Sequence, residues 1–334
     1  SDGHSANALL AQIGALIDEE RTYRLDHYLG KAAVQNLMAL RFGNTLLEAV
    51  WNRNYIESVH ILVAESGGAD GRNAYYARAG ALRDMVQSHI LQLLALVAME
   101  PPTSLEADRI RDEKVKVLRS LRPLDPATAA PLTLRARYGT GQIDGQTVPG
   151  YQPPADSSAE TFAAVTAHID NWRWAGVPFH LVTGKRLPRR TTQVVITLKP
   201  VSHWIFDKPG RGQATPNRIT LQLQPAENIE LGLLSSLAGP EWGAMELQPL
   251  ALELSVPTGQ QRRIAYERLL LDALAGNNAL FVRADEVQAA WAWTDSVLAA
   301  WQQGGMAMGS YPAGSWGPLR AAAFLPPGLA QALA

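Results

Sequence analysis

The second half of the sequence carries a series of strand patterns with no helical pattern between them. Segments 179–183, 193–199, 218–224, 229–234 and 245–256 alternate apolar and polar residues or contain β-branched runs. Successive strands joined by short connections pair most easily as antiparallel neighbours. The sequence therefore predicts a large, mainly antiparallel β-sheet, and it predicts that helices from elsewhere in the chain pack against this sheet.

Apolar residues at helical spacing predict the helices on either side of this region. They cover residues 6–16, the stretch after Lys31, and segments 75–99, 103–121, 264–275 and 284–302. The second half of 75–99 is apolar nearly all round, which indicates a buried helix. Thr103 and Glu106 predict a capping box, and the charges between Arg109 and Lys116 are typical of a solvated helix face. The expected fold class is α+β.

Shorter segments complete the pattern. Residues 55–65 alternate as a strand that ends at Glu65, residues 23–25 favour a short strand, and segment 160–169 is compatible with a helix or a strand. Trp172 and Trp174 are more typical of a core than of a ligand platform. Residues 140–160 and the proline-containing tail after residue 311 favour loops.

Composition excludes several classes of site. The chain has 334 residues, 47% of them apolar, and a net charge of −1, so nothing draws it as a whole towards nucleic acid or an anionic membrane. It has no cysteine, which excludes disulfides, thiolate zinc sites and cysteine nucleophiles. No apolar run is long enough for a transmembrane helix, and the polar start does not resemble a signal peptide. A cytoplasmic protein is expected.

Residues 24–31, of sequence RLDHYLGK, concentrate chemically active side chains. They place Asp26, His27, Tyr28 and Lys31 within six positions. The apolar spacing that follows predicts that His27 and Lys31 open a helix and share one face. Cations at the first turn of a helix, where free backbone N–H groups also gather, suit a phosphate. A surface turn before a capped helix explains this segment equally well.

Further candidate residues are spread along the chain. His89 lies in the buried helix, where a histidine is usually a core residue, and α-helical geometry puts it about 140° from Asp84, so the two would meet opposite parts of a ligand. Glu65 ends a strand, where it can bind sugar hydroxyls or simply face solvent. Four cations within residues 185–190 fit a turn at a ligand mouth better than a nucleic-acid patch, because the chain is neutral overall.

A glycine-rich segment, Gly139-Thr140-Gly141, follows a plausible strand at 132–138. A dinucleotide-binding loop needs a helix directly after its glycines, so that the pyrophosphate meets the helix N-terminus. The segment that follows contains Pro149, Pro153 and Pro154 and does not favour such a helix. We therefore expect a loop here and no cofactor site.

Taken in order, several of these motifs resemble the glucose-6-phosphate dehydrogenase family. The resemblance rests on RLDHYLGK at 24–31, WNRNYI at 51–56, VAE at 63–65, RDMVQSH at 83–89, IDNWRW at 169–174 and TGKRL at 183–187, and it covers almost the whole chain. It favours a strand for 160–169. It also implies that residues 1–26 are the C-terminal remnant of a coenzyme-binding, Rossmann-like domain and that 27–334 form the substrate-binding domain.

The resemblance also implies a reaction and its residues. The family oxidises glucose 6-phosphate to 6-phosphogluconolactone in the oxidative pentose phosphate pathway. The base is His89, oriented by Asp26. The phosphate and sugar are bound by His27, Tyr28, Lys31, Glu65, Asp84, Lys185 and Arg190, although Arg190 stands where the family has lysine. Arginine keeps the charge but is a planar fork rather than a point donor.

The cofactor and the partners follow from the same resemblance. The hydride acceptor is expected to be NADP, or NAD, held by the coenzyme domain whose glycine loop this sequence does not contain, so the chain alone is expected to be inactive. No metal, nucleic-acid or membrane partner is implied, and a homodimer or homotetramer through the sheet is expected. A non-catalytic sugar-phosphate binding or assembly module derived from the enzyme is the alternative. Retention of both Asp26 and His89 favours the enzyme.

Overall fold

The computed structural model of the chain describes residues 2–69, 73–205, 216–237, 246–254 and 264–333. The α-helices are α1 (Gly3–Gly14), α2 (Ala32–Phe42), α3 (Thr45–Val50), α4 (Asn73–Ala81), α5 (Leu91–Ala98), α6 (Ala107–Arg119), α7 (Ala265–Leu274), α8 (Ala284–Gln303) and α9 (Pro327–Ala330). A π-helix, Leu82–Ile90, joins α4 to α5.

The strands follow the predicted order closely. They are β1 (Ile56–Ala64), β2 (Thr133–Gly139), β3 (Gly141–Ile143), β4 (Gln146–Val148), β5 (Phe162–Ala167), β6 (Phe179–Gly184), β7 (Thr191–Leu198), β8 (Arg218–Gln224), β9 (Asn228–Leu237), β10 (Glu246–Leu254) and β11 (Gly309–Pro312). The predicted strand at 245–256 extends into residues outside the described part of the chain.

One large sheet organises the described residues. Its strand order is β10-β9-β8-β7-β1-β6-β5-β2-β11, and its neighbours are antiparallel except for the pairs β1–β6 and β2–β11. The predicted antiparallel sheet is confirmed. The two parallel pairs join strands that are far apart in sequence, and the long connection between β1 and β6 contains helices, as a parallel crossover requires. The strand prediction for 160–169 is also confirmed.

Several helices pack on this sheet. The π-helix packs on β1 and β6 and α2 on β8, while α5, α6 and α8 pack in succession behind them. Val59, Ile61 and Val63 of β1 are completely buried in the central strands. Several candidate site residues lie on the helices packed against the sheet or next to strand ends, as do His89 on the π-helix and Lys185 just after β6.

The predicted continuous helix over 75–99 is wrong. The chain breaks at Gly80, which has a φ of 69°, and continues as the π-helix before returning to α5. Asp84 and His89 both lie in the π-helical part, where hydrogen bonds join residues five apart. The α-helical angle of about 140° between them therefore does not apply, because residues five apart are brought onto neighbouring turns by the wider winding.

The predicted start and exposed face of the next helix are also corrected. α6 begins at Ala107, and Glu106 is its N-cap without a side-chain capping bond, so the capping box is wrong. Lys114 is buried and pairs with the buried Glu286 at 2.7 Å, and buried Arg111 donates to the carbonyl of Phe281 at 3.2 Å. The solvated-face prediction fails for these two cations because α6 packs against both α5 and α8.

Smaller corrections concern the tryptophans and the chain ends. Trp174 is buried and donates through Nε1 to the Ala98 carbonyl at 2.8 Å, whereas Trp172 is 95% exposed, so its predicted core position is wrong. Near the start, α1 begins three residues earlier than predicted because Asp2 caps it. The predicted strand at 23–25 reduces to one bridge, Arg24 with Val282, and the predicted loop tail contains α9 and Pro312, the last residue of β11. Within the described ranges, no helix combines the length and apolar character needed to cross a membrane.

Candidate active site

A tight turn, not a helix, carries the central motif. The N–H of Leu29 donates to the Asp26 carbonyl and that of Lys31 to the Tyr28 carbonyl, and α2 begins only at Ala32 with Lys31 as its N-cap. The prediction that His27 and Lys31 share a helix face is therefore wrong. Gly30 explains why the turn stays close to α7, since a Cβ at this position would lie 2.7 Å from the carbonyl oxygen of Ala265.

The buried carboxylate of Asp26 holds the imidazole of His89. Oδ1 of Asp26 lies 2.8 Å from Nδ1 of His89 and also accepts the N–H of Tyr28 at 2.9 Å. Asp26 is 3% exposed, whereas the His89 side chain remains 19% exposed. An imidazole whose Nδ1 is bound to a carboxylate presents Nε2 as its free acceptor nitrogen. This arrangement can take a proton from a hydroxyl group.

The ring of His27 lies beside this pair. Its centroid is 4.7 Å from that of His89 and 4.6 Å from that of Tyr28, and it stacks on Tyr266 at 5.9 Å with 9° between the rings. Burial chiefly, together with the charge of His89, lowers the pKa of His27. His27 is therefore mainly a neutral N–H donor at neutral pH, rather than the second cation of the predicted pair.

Arg190 supplies a second positive charge close to Lys31. With the Gln224 amide oriented to satisfy both of its ends, its oxygen accepts from Lys31 Nζ at 2.9 Å and from Arg190 Nη2 at 3.1 Å. Lys31 is 8% exposed, and burial lowers its pKa to about 8 despite the opposing charge of Glu227. Two cations that converge on one amide oxygen form a natural seat for an anion with several oxygens.

Tyr28 links this seat to the rest of the site. The ammonium of Lys31 lies 4.7 Å from its ring centroid, and its hydroxyl is hydrogen-bonded to Thr192 at the start of β7. Burial raises the pKa of Tyr28 to about 12, with a contribution from the charge of Glu65. The hydroxyl therefore stays protonated and can donate a hydrogen bond at any physiological pH.

The remaining candidates surround Tyr76. Nζ of Lys185, just beyond β6, pairs with Oε2 of Glu65 at 2.6 Å and lies 4.9 Å from the Tyr76 ring centroid. The charges of Glu65 and Asp84 both help to raise the pKa of Tyr76, whose main cause is burial. Asp84 accepts a hydrogen bond from the Tyr75 hydroxyl at 3.2 Å. These carboxylates present oxygens that suit sugar hydroxyls.

The sequence-based candidates thus form two adjoining groups. Asp26, His27, Tyr28, Lys31, His89 and Arg190 contact or electrostatically affect one another, while Glu65, Asp84 and Lys185 surround Tyr76. Gln224, Thr192 and Tyr266 were missed. They are isolated polar or aromatic residues at element ends, and no sequence pattern distinguishes them.

The segment Gly139-Thr140-Gly141 joins two strands, with Gly139 the last residue of β2 and Gly141 the first residue of β3. It leads into the β3–β4 hairpin, whose turn contains Asp144 and Gly145 with φ values of 51° and 77°. A hairpin presents no helix N-terminus to a pyrophosphate. The predicted loop over 140–160 therefore contains a short hairpin, and the expectation that no dinucleotide binds at this segment stays a prediction.

Comparison with known families gives matches over nearly all of the chain. Residues 38–328 match the model of the glucose-6-phosphate dehydrogenase C-terminal domain, and residues 1–36 match that of the glucose-6-phosphate dehydrogenase NAD binding domain. The chain is 48% identical over 326 residues to glucose-6-phosphate 1-dehydrogenase of Rhizobium meliloti (strain 1021), covering 96% of the chain and 66% of the relative. For the Zymomonas mobilis subsp. mobilis relative of the same name, identity is 47%, and 97% of the chain and 67% of the relative are covered. The chain spans about two thirds of the length of these relatives.

Solved structures give the same result. A glucose-6-phosphate dehydrogenase in complex with its substrate glucose-6-phosphate superposes with a TM-score of 0.84 at 35% identity, covering 99% of this chain and 66% of the other. Glucose-6-phosphate 1-dehydrogenase from Mycobacterium avium gives a TM-score of 0.80 at 36% identity, with 97% and 66% covered. The chain belongs to the glucose-6-phosphate dehydrogenase family.

Proposed function

We propose that this chain supplies the base and the sugar-phosphate site of an enzyme that oxidises glucose 6-phosphate to 6-phosphogluconolactone, the first step of the oxidative pentose phosphate pathway. The observation that carries the proposal is the Asp26–His89 contact beside the cation pair of Lys31 and Arg190. A base next to an anion seat is what oxidation of a phosphorylated sugar requires. The similar enzyme solved in complex with glucose-6-phosphate supports the same substrate.

The chemical step removes a proton and a hydride from the anomeric position. Nε2 of His89 accepts the proton of the C1 hydroxyl, while the carboxylate of Asp26 holds Nδ1–H and stabilises the imidazolium that forms. Loss of the hydride from C1 then leaves the lactone carbonyl. The nicotinamide of the coenzyme, when bound, supplies the hydride acceptor.

Binding residues divide between the two ends of the substrate. Lys31 and Arg190 neutralise the phosphate dianion, and Tyr28 and His27 donate hydrogen bonds to its oxygens. Glu65 and Asp84 accept hydrogen bonds from sugar hydroxyls, and Lys185 completes the pocket from its position against Glu65. Arg190 stands where the family has lysine and keeps the positive charge at this position.

The coenzyme is a nicotinamide dinucleotide, with NADP proposed over NAD. Its domain is represented here by residues 1–26, and residues 27–334 form the substrate domain. The match of residues 1–36 to an NAD binding domain supports this division in outline. No metal is proposed, because the imidazole of His89, with Nδ1 at 2.8 Å from Oδ1 of Asp26, serves as the base and the nicotinamide as the hydride acceptor.

The assembly is proposed to be a cytoplasmic homodimer or homotetramer that pairs through the sheet. The two outer strands β9 and β10 support this, because Leu233, its partner Leu250 and Leu252 share one face of the sheet and are each more than a third exposed. Apolar side chains exposed on one face of a sheet favour burial against a second copy. Sedimentation of the chain tests this, and a monomer at all concentrations would contradict it.

The experiment compares NADPH formation by residues 1–334 and by the same chain joined to an upstream coenzyme domain. Both are assayed at matched concentration with saturating glucose 6-phosphate and NADP. Positioning donor and acceptor supplies most of the rate, so we expect turnover only with the coenzyme domain. No turnover in the joined protein would contradict the proposal and favour the non-catalytic module. Turnover by residues 1–334 alone would place a coenzyme site within them.

A further inference from the structure

Glu160 is a buried carboxylate that the proposed mechanism does not use. It lies just before β5 and is 2% exposed. Its Oε1 accepts the N–H of Leu82 at 2.7 Å, and its backbone carbonyl accepts the N–H of Ala81 at 2.9 Å. Glu160 thus binds two successive N–H groups of the segment where the π-helix begins.

The π-helix needs such a partner. The first N–H groups of a helix have no acceptor within the helix, and a buried unpaired N–H is destabilising. π-Helical winding is rare and occurs mostly where surrounding structure or function requires it. Asp84 and His89 are the third and eighth residues of this helix. The position of its first turn therefore sets the positions of both side chains.

Gly80 is shaped to accept the carboxylate of Glu160. It has a φ of 69°, and a Cβ at this position would lie 2.6 Å from Oε1 and 2.8 Å from Oε2 of Glu160. The backbone break at Gly80 thus seats the carboxylate directly against the chain. Any larger residue at position 80 would both strain the backbone and displace Glu160.

The surroundings of Glu160 are polar on several sides. Burial raises its pKa to about 7, and the N–H of Leu82 and the charges of Arg83 and Arg135 act in the opposite direction. The carboxylate also contributes to the raised pKa of Tyr76, on the helix that precedes the break. Glu160 is thus coupled to α4, to the π-helix and to β2, and the described hydrogen bonds of its carboxylate go to backbone N–H groups.

We propose that Glu160 is a positioning residue, which anchors the start of the π-helix and so places Asp84 and His89 against the sugar of bound glucose 6-phosphate. The proposal rests on the proposed function, because it takes glucose 6-phosphate as the ligand. The proposal distinguishes the affinity for the sugar from the affinity for the phosphate. Glu160 acts on the sugar part through the π-helix, whereas the phosphate seat of Lys31 and Arg190 lies on other elements.

The test is calorimetric titration of residues 1–334 with glucose 6-phosphate and, separately, with inorganic phosphate. Glu160→Ala removes the acceptor of the Leu82 N–H. Glu160→Asp shortens the side chain by one methylene and keeps the carboxylate, so it serves as the test if the Glu160→Ala protein does not fold. In both we expect glucose 6-phosphate to bind about tenfold more weakly, the effect of one buried hydrogen bond, with phosphate affinity within about twofold of wild type. Glu160→Gln keeps an acceptor oxygen and should bind both ligands nearly as wild type does.

Thr133→Val is the matched structural control. The buried Thr133 hydroxyl donates to the Ala164 carbonyl within the same sheet and accepts from Nε1 of Trp301, and none of its described hydrogen bonds reaches the π-helix. It should leave the ratio of the two affinities unchanged. Equal weakening of both ligands in the Glu160→Asp protein, or no weakening, would overturn the positioning role. A wild-type chain that binds glucose 6-phosphate no more tightly than phosphate would instead refute the proposed function on which the role depends.

Discussion

Oδ1 of Asp26 lies 2.8 Å from Nδ1 of His89, although 63 residues separate them in sequence. The same oxygen accepts the N–H of Tyr28, so one atom joins the imidazole to the turn that carries the phosphate-binding side chains. The π-helix supplies the ring, and the turn before α2 supplies its orientation. The proposed base therefore takes its ring orientation from Asp26, which is fixed in turn by the backbone N–H of Tyr28.

Replacing Asp26 with Asn tests the contact between Asp26 and His89. The amide is similar in shape, but it is neutral and can neither stabilise an imidazolium nor accept two N–H groups as strongly. We expect turnover of the coenzyme-bearing protein to fall by about 10²–10⁴, the range typical of an oriented base, with a smaller change in KM. Asp156→Asn, on an exposed turn, is the control. If turnover of Asp26→Asn stayed within twofold of wild type, the Asp26–His89 pair would not act as the proposed oriented base.

Lys31→Ala tests the phosphate seat. The ammonium makes a charge-assisted contact only when the ligand carries a phosphate, so the loss should be much greater for glucose 6-phosphate than for free glucose. Titrations with both sugars provide the comparison. The exposed Lys199, which donates to the Arg53 carbonyl, gives a control variant, Lys199→Ala, with no selective loss. Equal losses for both sugars in Lys31→Ala would place this lysine away from the phosphate.

Affinity for glucose 6-phosphate should also depend on pH through Lys31. The pKa of Lys31 is lowered by burial to about 8, so the free site loses this charge as the pH rises through 8. A bound dianion favours the charged ammonium, so binding above pH 8 requires proton uptake and weakens. Dissociation constants measured between pH 7 and 9.5 should therefore rise. Lys31→Arg, which stays charged, should flatten the dependence, and a wild-type curve already flat over this range would contradict the assignment.

The raised pKa of Glu160 predicts how the stability of the folded chain depends on pH. Its pKa is about 7 in the folded chain, above the ordinary 4.5, so the native state binds more protons than the unfolded state between these values. Its contribution to stability is thus full below pH 4.5 and is lost as the pH rises through 7. The test measures the free energy of unfolding in urea at pH 5 and at pH 8. Between these two pH values, the free energy of unfolding of wild type should fall relative to that of Glu160→Gln. A difference that is independent of pH would show that the carboxylate does not titrate in this window.

Much of the fold was predictable because apolar periodicity reports burial directly. β8 runs from Arg218 to Gln224 as predicted, and α8 ends within one residue of its predicted end. The failures have physical causes. A sequence pattern cannot distinguish α- from π-helical winding, and the break at Gly80 depends on a carboxylate 80 residues away. Trp172 looks apolar in sequence, yet only tertiary packing decides which of two nearby tryptophans is buried.

The candidate site was predictable only in part. Asp26, His27, Tyr28 and Lys31 are adjacent in sequence, so a motif reveals them, and resemblance to a family connects them with His89. The contacts that tune them come from isolated residues. Gln224 joins Lys31 to Arg190, and Tyr266 stacks on His27 from α7. Such partners lie close together only after the sheet and helices have folded.

The proposed mechanism is tested most directly by His89→Asn in the coenzyme-bearing protein. The value of kcat and the dissociation constant of glucose 6-phosphate are measured separately. Asparagine retains a polar side chain of similar reach but cannot accept the hydroxyl proton as a base. We expect affinity within roughly tenfold of wild type and turnover lower by about 10²–10⁴ or more. Turnover close to that of wild type would show that His89 is not the base and would contradict the proposed mechanism.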